Sequence, residues 1–277
     1  MQGELFLDLF EEQESCNDKI EKFKTRQCKA KDVFYIDEID KKTAYEFVRK
    51  YHYLGDAKFF CVKAFGLFLN EINELVGVAT YSQPQGIVAL KSWFSLDNSN
   101  TNIFELSRLC MLPTLNKTNA TSFLLGGSIK KLKEMNQLAK QDKKRKNQTF
   151  TSKDWICRGI ITLACSERHN GAIYQICNFK YFGMSNPKTD FYTESGKLNP
   201  RGKTSDVYGV WLPRARKHRY AYILDDELIC NYAEKTRPPL DTFSLDCCNG
   251  TKKVLDARFN RLYTCPKCCG KLELIQE

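Results

Sequence analysis

The sequence predicts an α/β protein, of the α+β kind, with a mostly antiparallel sheet flanked by helices. Three observations predict it. Short runs of alternating apolar residues recur over 32–39, 58–84 and 103–113, one long amphipathic helix follows, and a strand-helix-strand unit comes after that. A chain of 277 residues can bury one main core and still carry an appendage. The expected division is an N-terminal extension over 1–31, a main domain over 32–234 and a cysteine-rich tail over 235–277.

The elements can be justified in order. Residues 1–31 are charged and mixed, and read as one helix at most. "DVFYIDEI" (32–39) is a strand, and "DKKTAYEFVRKYHYL" (40–54) a helix with Asp40 at its N-cap and Ala44, Phe47, Val48 and Tyr51 on one face. "KFFCVKAFGLFLN" and "ELVGVATYSQP" alternate as an antiparallel pair around a polar turn at Glu71–Asn73. "IFELSRLCMLP" (103–113) is a strand ended by Pro113. "NATSFLLGGSIKKLKEMNQLAK" (119–140) is a helix capped by Asn119 and basic at its far end. "KQDKKRKNQTFTSKDW" is too polar for a core and reads as a loop. "ICRGIITLACS" is a strand, "ERHNGAIYQICNFKYFG" opens as a helix, and strands fill 180–213 and "KHRYAYIL". In the helix-exit position, Asn178-Phe179 turns the chain. This order fits the acyltransferase layout of the GNAT superfamily.

Composition narrows the partners. A formal charge of +10 favours an acidic partner, nucleic acid before membrane. No eighteen-residue apolar run or signal-peptide pattern appears, so a cytoplasmic protein without membrane association is expected. Thirteen cysteines in such a setting do not form a disulfide framework. Those from Cys16 to Cys230 read as small core residues, while Cys247, Cys248, Cys265, Cys268 and Cys269 crowd the tail.

Four separated motifs carry a family resemblance: "RKYHYLGD", "VGVATYSQP", "FELSRLCMLPTLNKTNATSFLLGGSIKKL" and "ITLACSERHNGAIYQICNFKYFG". Together, over roughly 33–222, they resemble the Mom family of phage DNA adenine-modification proteins, distant relatives of the GNAT acyltransferases. The resemblance implies transfer of a carbamoylmethyl or acyl-type group to the exocyclic amine of adenine in double-stranded DNA, protecting phage DNA from host restriction in the bacterial cytoplasm. The donor stays open between a coenzyme A thioester and another activated glycine-like donor, as does an active-site metal. Two departures stand out. Cys165 occupies the place of an Asp common in the family, leaving Glu167 as the nearest carboxylate. The acyltransferase phosphate loop is also missing between Pro113 and Leu125, where Asn119 to Ser122 stand instead.

The chemistry needs a proton acceptor for the amine, an oriented electrophile and a base flipped from the stack. His52 is either a helix-end His favoured by the dipole or, beside Tyr53, a proton-transfer group. His169 is a loop His or a catalytic one, and His218 in "RARKHRY" reads as a backbone or phosphate contact. Tyr174 is either a core aromatic or the general acid to the leaving group, as the layout's resemblance implies. Asn119, Ser122, Arg108 and Ser82 are the candidates for donor binding, with Tyr81 beside them. An Arg in a strand interior is costly unless paired, which favours a site for Arg108.

Two basic runs suggest phosphate tracking: Lys143, Lys144, Arg145 and Lys146, and Arg214, Arg216, Lys217 and Arg219. Tyr208, Trp211 and Tyr220 interleave the second with surfaces for base stacking. In the tail, Cys265-Pro-Lys-Cys268 is a regular zinc knuckle. Cys247 and Cys248, adjacent and separated from it by sixteen residues, form an irregular partner, with Cys269 or Cys230 available to complete a structural zinc site. Two other functions remain in view: a coenzyme A-dependent N-acetyltransferase acting on protein or RNA amines, and a non-catalytic DNA-binding anti-restriction protein.

Overall fold

A computed structural model describes residues 18, 20–53, 55, 59–84, 93–95, 102–116, 118–148, 156–165, 170–186, 188–193, 195, 197–199, 208–214, 216–236, 253–256, 261–265, 273 and 275. Strands β1 (Phe34–Ile39), β2 (Lys63–Leu69), β3 (Leu75–Ser82) and β4 (Ile103–Met111) form an antiparallel meander. β5 (Gly159–Cys165) pairs with β4 in parallel, Ile103–Glu105 against Gly159–Ile161. A parallel pair needs a crossover, and here it contains the long helix α2 (Ala120–Arg145). With β6 (Lys180–Met184) and β10 (Lys217–Ile223), the seven strands follow the order β1-β2-β3-β4-β5-β10-β6. The expected class, mixed α/β with a mostly antiparallel sheet flanked by helices, is the class observed.

The chain forms two compact units interleaved in sequence. Unit 1 comprises Met1–Thr162, Ile176–Phe179 and Ala221–Ala233, and unit 2 comprises Leu163–Gln175, Lys180–Tyr220 and Glu234–Glu277. In unit 1 the central strands are buried on both faces. Helix α1 (Lys41–Tyr51) packs Ala44, Phe47 and Val48 with Ala64, Val78 and Cys110 of the sheet. Gly77, next to Val78 and so on the opposite face, lies against Leu124 of α2. The two helices therefore cover opposite sides. Close approach of α2 to β1 requires Gly127, where a Cβ would collide with Ile36. Phe23 adds an edge-on contact to Phe34 of β1, with centroids 4.9 Å apart.

Local signals set the element ends. Asp40 caps α1 by accepting from the Thr43 amide (3.0 Å) and hydroxyl (2.6 Å). Asn73, at φ +52°, turns the β2–β3 hairpin as its sequence suggests. Asn178, at φ +63°, leads the chain out of α3 (Ala172–Ile176). Of the run expected as a loop after 140, residues up to Arg145 are instead the end of α2, and 149–155 lie outside the described residues. Asp142 pairs there with Arg145 (2.9 Å) and Lys146 (2.7 Å), and basic side chains suit a helix C-terminus.

Unit 2 contains a three-stranded sheet, β8 (Leu198–Asn199), β7 (Lys188–Thr193) and β9 (Gly209–Arg214), in the order β8-β7-β9. It also holds the antiparallel hairpin β11 (Lys253–Asp256) and β12 (Arg261–Thr264). No described helix is long and apolar enough to cross a membrane.

Candidate active site

In unit 1 the end of α1 presents His52. Its amide closes the helix on the Val48 carbonyl (2.9 Å), and its ring stacks on Tyr53 at 4.3 Å. Tyr53 is 58% exposed and His52 half-buried.

Arg108 lies half-buried on β4, opposite Thr80 of β3. Its guanidinium sits 5.0 Å from the Phe59 ring, and Nη1 donates to the Ser107 carbonyl (2.7 Å). Tyr45 stacks on the same Phe59 ring at 4.3 Å, and its hydroxyl donates to the Phe59 carbonyl. The Nε of Arg108 is buried without a hydrogen-bond partner, and none of the ion pairs among the described residues involves this side chain. The pairing expected for a strand-interior arginine is thus replaced by an aromatic face and one carbonyl, which leave its charge largely uncompensated.

Ser82 ends β3 and is buried opposite Glu105. Tyr81, expected beside it on the pocket wall, is a core residue instead. It is fully buried, its hydroxyl shares a 2.6 Å hydrogen bond with Ser128 of α2, and burial pushes its pKa well above the usual phenol value. A register shift between Thr80 and Tyr81 accompanies this turn toward the helix.

At the start of α2, Asn119 occupies the N-cap position without making the cap. Its φ of −84° and ψ of 7° are not the extended geometry that brings a cap side chain back onto the first turn. The Thr118 hydroxyl takes over, accepting from the Ala120 amide (3.3 Å) while donating to the Leu115 carbonyl (2.7 Å). Ser122 donates to the Asn119 carbonyl (2.8 Å), and the Cys177 thiol approaches the Ser122 carbonyl at 3.7 Å. Burial raises Cys177 and Cys110 to about 11 and raises Cys61 and Cys157 too. All four stay thiols at neutral pH, as core cysteines do, and none is an activated nucleophile.

Tyr174 belongs to unit 2. It is 8% exposed on α3, with its ring 5.4 Å from that of Tyr220. Glu167 and His169 lie outside the described residues, and Cys165 ends β5 half-buried. Two assignments change here. Tyr220, expected to stack on bases, is fully buried, and its hydroxyl donates to the Asn170 carbonyl (2.5 Å) and accepts from Gln175 Nε2 (3.1 Å). His218, expected at a phosphate, is buried with Nδ1 3.0 Å from the Tyr181 hydroxyl. On a buried β-strand, alternate residues turn inward whatever their polarity, so the basic run is split between two faces. The local sign of this network in the sequence is Asn170-Gly171, a turn signal at the strand-to-helix junction.

Of the candidate phosphate contacts, Lys144, Arg145 and Lys146 are exposed at the end of α2 and Lys143 is half-buried. Arg214 is held by Asp190 in a two-pronged pair (2.7 and 3.0 Å), and Arg216 donates to the Ser185 carbonyl (2.8 Å). Lys217 is exposed and Arg219 half-buried. Tyr208 is 81% and Trp211 38% exposed.

Of the five tail cysteines only Cys265 is described. It is buried beside Tyr192, Val210 and Leu212 at the end of β12. Cys247, Cys248, Cys268 and Cys269 lie outside the described residues, and Cys230 forms an isolated bridge with Phe94. No group of three or more metal-ligating side chains occurs among the described residues.

Residues 33–140 match the model of the Mom protein family, the family the motifs resemble. No curated protein matches the chain. Among solved structures it is similar to a ribosomal-protein alanine N-acetyltransferase from Escherichia coli, at 11% identity and TM-score 0.40 over 69% of this chain and 94% of that one. Arabidopsis thaliana NAA60 in complex with a bisubstrate analogue gives 11%, 0.40, 69% and 97% for the same quantities. A Bacillus subtilis acetyltransferase in complex with CoA gives 12%, 0.36, 69% and 97%.

Proposed function

We propose that the protein is a transferase that adds a small carbamoylmethyl or acyl-type group to the exocyclic amine of adenine in duplex DNA. The match of residues 33–140 to the Mom protein family carries this reading. The charge of +10 supports it, as does the exposed basic end of α2. In this scheme the candidates of unit 1 are His52 for the amine proton and Arg108 for negative charge on the donor, and those of unit 2 are His169 for the amine proton and Tyr174 for the leaving group's proton. Tyr208 and Trp211 offer ring faces to a displaced base. A zinc ion held by Cys265, Cys268 and their neighbours would staple the tail; metal content of about one zinc per purified chain is the expectation, lost on a Cys265→Ser, Cys268→Ser double change.

The test is mass spectrometry of nucleosides from plasmid DNA recovered after co-expression. A new, heavier adenine nucleoside should appear with the wild-type chain and largely vanish with Tyr174→Phe, which deletes one hydroxyl. Unmodified adenine in the presence of soluble, folded wild-type protein sinks the proposal, and acetylated protein or RNA in its place favours an ordinary acetyltransferase. Binding to duplex DNA should also weaken steeply with salt. Neutralising Lys143, Lys144, Arg145 and Lys146 should flatten the log–log slope by roughly 2 to 4, because each released counterion contributes about 0.9.

A further inference from the structure

We propose that Tyr220 is the positioning residue for the catalytic helix α3. It acts through a closed ring of hydrogen bonds that grips that helix at both ends. This rests on the reading of Tyr174 as the general acid. Helix α3 is five residues long, barely one turn. So short a helix has no stability of its own, since nucleation fixes several residues for one or two bonds. Something outside it must set its direction.

Tyr220 meets that need. Its hydroxyl donates to the carbonyl of Asn170, just before the helix, and accepts from the side-chain amide of Gln175, near its end. Asn170 in turn accepts from the Ala172 amide through Oδ1 (3.1 Å), which starts the turn, and Tyr174 N–H closes it on the Gly171 carbonyl (2.9 Å). Gly171 has φ +80°, and a Cβ there would collide with the Tyr220 ring, so the approach is specific to glycine. The Tyr220 ring also packs 5.4 Å from Tyr174 and 5.1 Å from Tyr181. Tyr220, Asn170 and Gln175 are all buried, so the hydroxyl's bonds are made inside the protein rather than shared with water. One phenol oxygen therefore sets both the turn that follows His169 in sequence and the orientation of Tyr174. Proton transfer depends on placement within a fraction of an ångström, so this control reaches the rate without Tyr220 touching the substrate.

The experiment compares wild type, Tyr220→Phe and Gln175→Leu in the full chain, by steady-state DNA modification and by amide hydrogen exchange. Tyr220→Phe should lower kcat about tenfold to a hundredfold with KM for DNA unchanged, the range a small misplacement produces. Exchange at residues 170–176 should speed up about fivefold or more, as loss of one net hydrogen bond predicts, and elsewhere should stay put. Gln175→Leu, which removes one of the two bonds, should show the same pattern more weakly, and it serves if Tyr220→Phe does not fold. A wild-type kcat in a folded Tyr220→Phe protein, or exchange rising evenly across the chain, overturns the proposal. Should the wild-type chain modify no adenine, the function proposed above fails. The exchange pattern then decides the ring alone, and unchanged protection at 170–176 rejects it.

Discussion

The two units are stabilised differently. Unit 1 is built on bulk: Phe34, Phe65, Leu67, Leu124 and Leu132 are each under 2% exposed, with helices on both faces of a long meander. Its buried polar groups sit in isolated pairs, such as Tyr81 with Ser128 and Asn136 with the Cys157 backbone. Unit 2 has an apolar cluster of its own around Tyr192, Val210 and Leu212, and adds to it two buried tyrosines, 181 and 220, bonded through their hydroxyls to His218, Asn170 and Gln175. Apolar packing is non-directional and tolerates small shifts, whereas hydrogen-bonded phenols fix angle as well as distance. If Tyr174 is the general acid proposed above, unit 2 must aim one tyrosine and benefits from the second kind of interior.

The sharpest way to break this contrast is a cavity in unit 1. Leu132→Ala, on a fully buried position of α2, should lower stability by about 2–5 kcal/mol in urea unfolding. Protection from hydrogen exchange should fall mainly in unit 1; an equal fall in unit 2 would show one cooperative block. Next comes Tyr181→Phe. It keeps the ring but strips the hydroxyl from buried His218, with an expected loss of about 1–3 kcal/mol confined to unit 2. No measurable loss would mean that unit 2, too, rests on apolar packing.

The smallest effect probes charge rather than packing. Burial pushes the Asp225 carboxyl up, but the Arg158 guanidinium (2.6 Å) and the Glu227 amide (3.1 Å) outweigh it and hold the pKa below the usual value. A carboxylate with a depressed folded pKa contributes its stability above the unfolded value, about 3.9, and loses it as pH falls through the folded one. Asp225→Asn should therefore remove about 1 kcal/mol at pH 7 and flatten the acid side of the stability curve. A curve of unchanged shape would assign the acid loss to other carboxylates.

How much of this was legible in the sequence follows the range of the forces involved. The Asp40 cap and the Asn73 and Asn178 turns depend on neighbours within four residues, and their sequence signals were enough. The extension of α2 to Arg145 was missed because a polar run with internal ion pairs looks like a loop until Asp142 is seen at helical spacing. Tyr220 and His218 were misread because basic residues surround them in sequence. Their burial depends on partners some forty to fifty residues away, which periodicity does not reveal. At the candidate site, Arg108 stood out correctly as an unusual strand residue, but its support by Phe59 comes from a distant segment.

Helix α2 also has a length. Its 26 residues span about 39 Å, with Asn119 and Ser122 at one end and Lys143 to Lys146 at the other. One turn of B-form DNA measures about 34–36 Å. If the first end holds the donor at the reacting base and the second grips phosphates, with the helix lying along the duplex axis, the helix is a ruler one duplex turn long. The grip then falls on the same face of the DNA as the target, about ten base pairs to one side of it. Duplexes trimmed on that side should lose affinity abruptly at that distance, while trimming the other side should matter less.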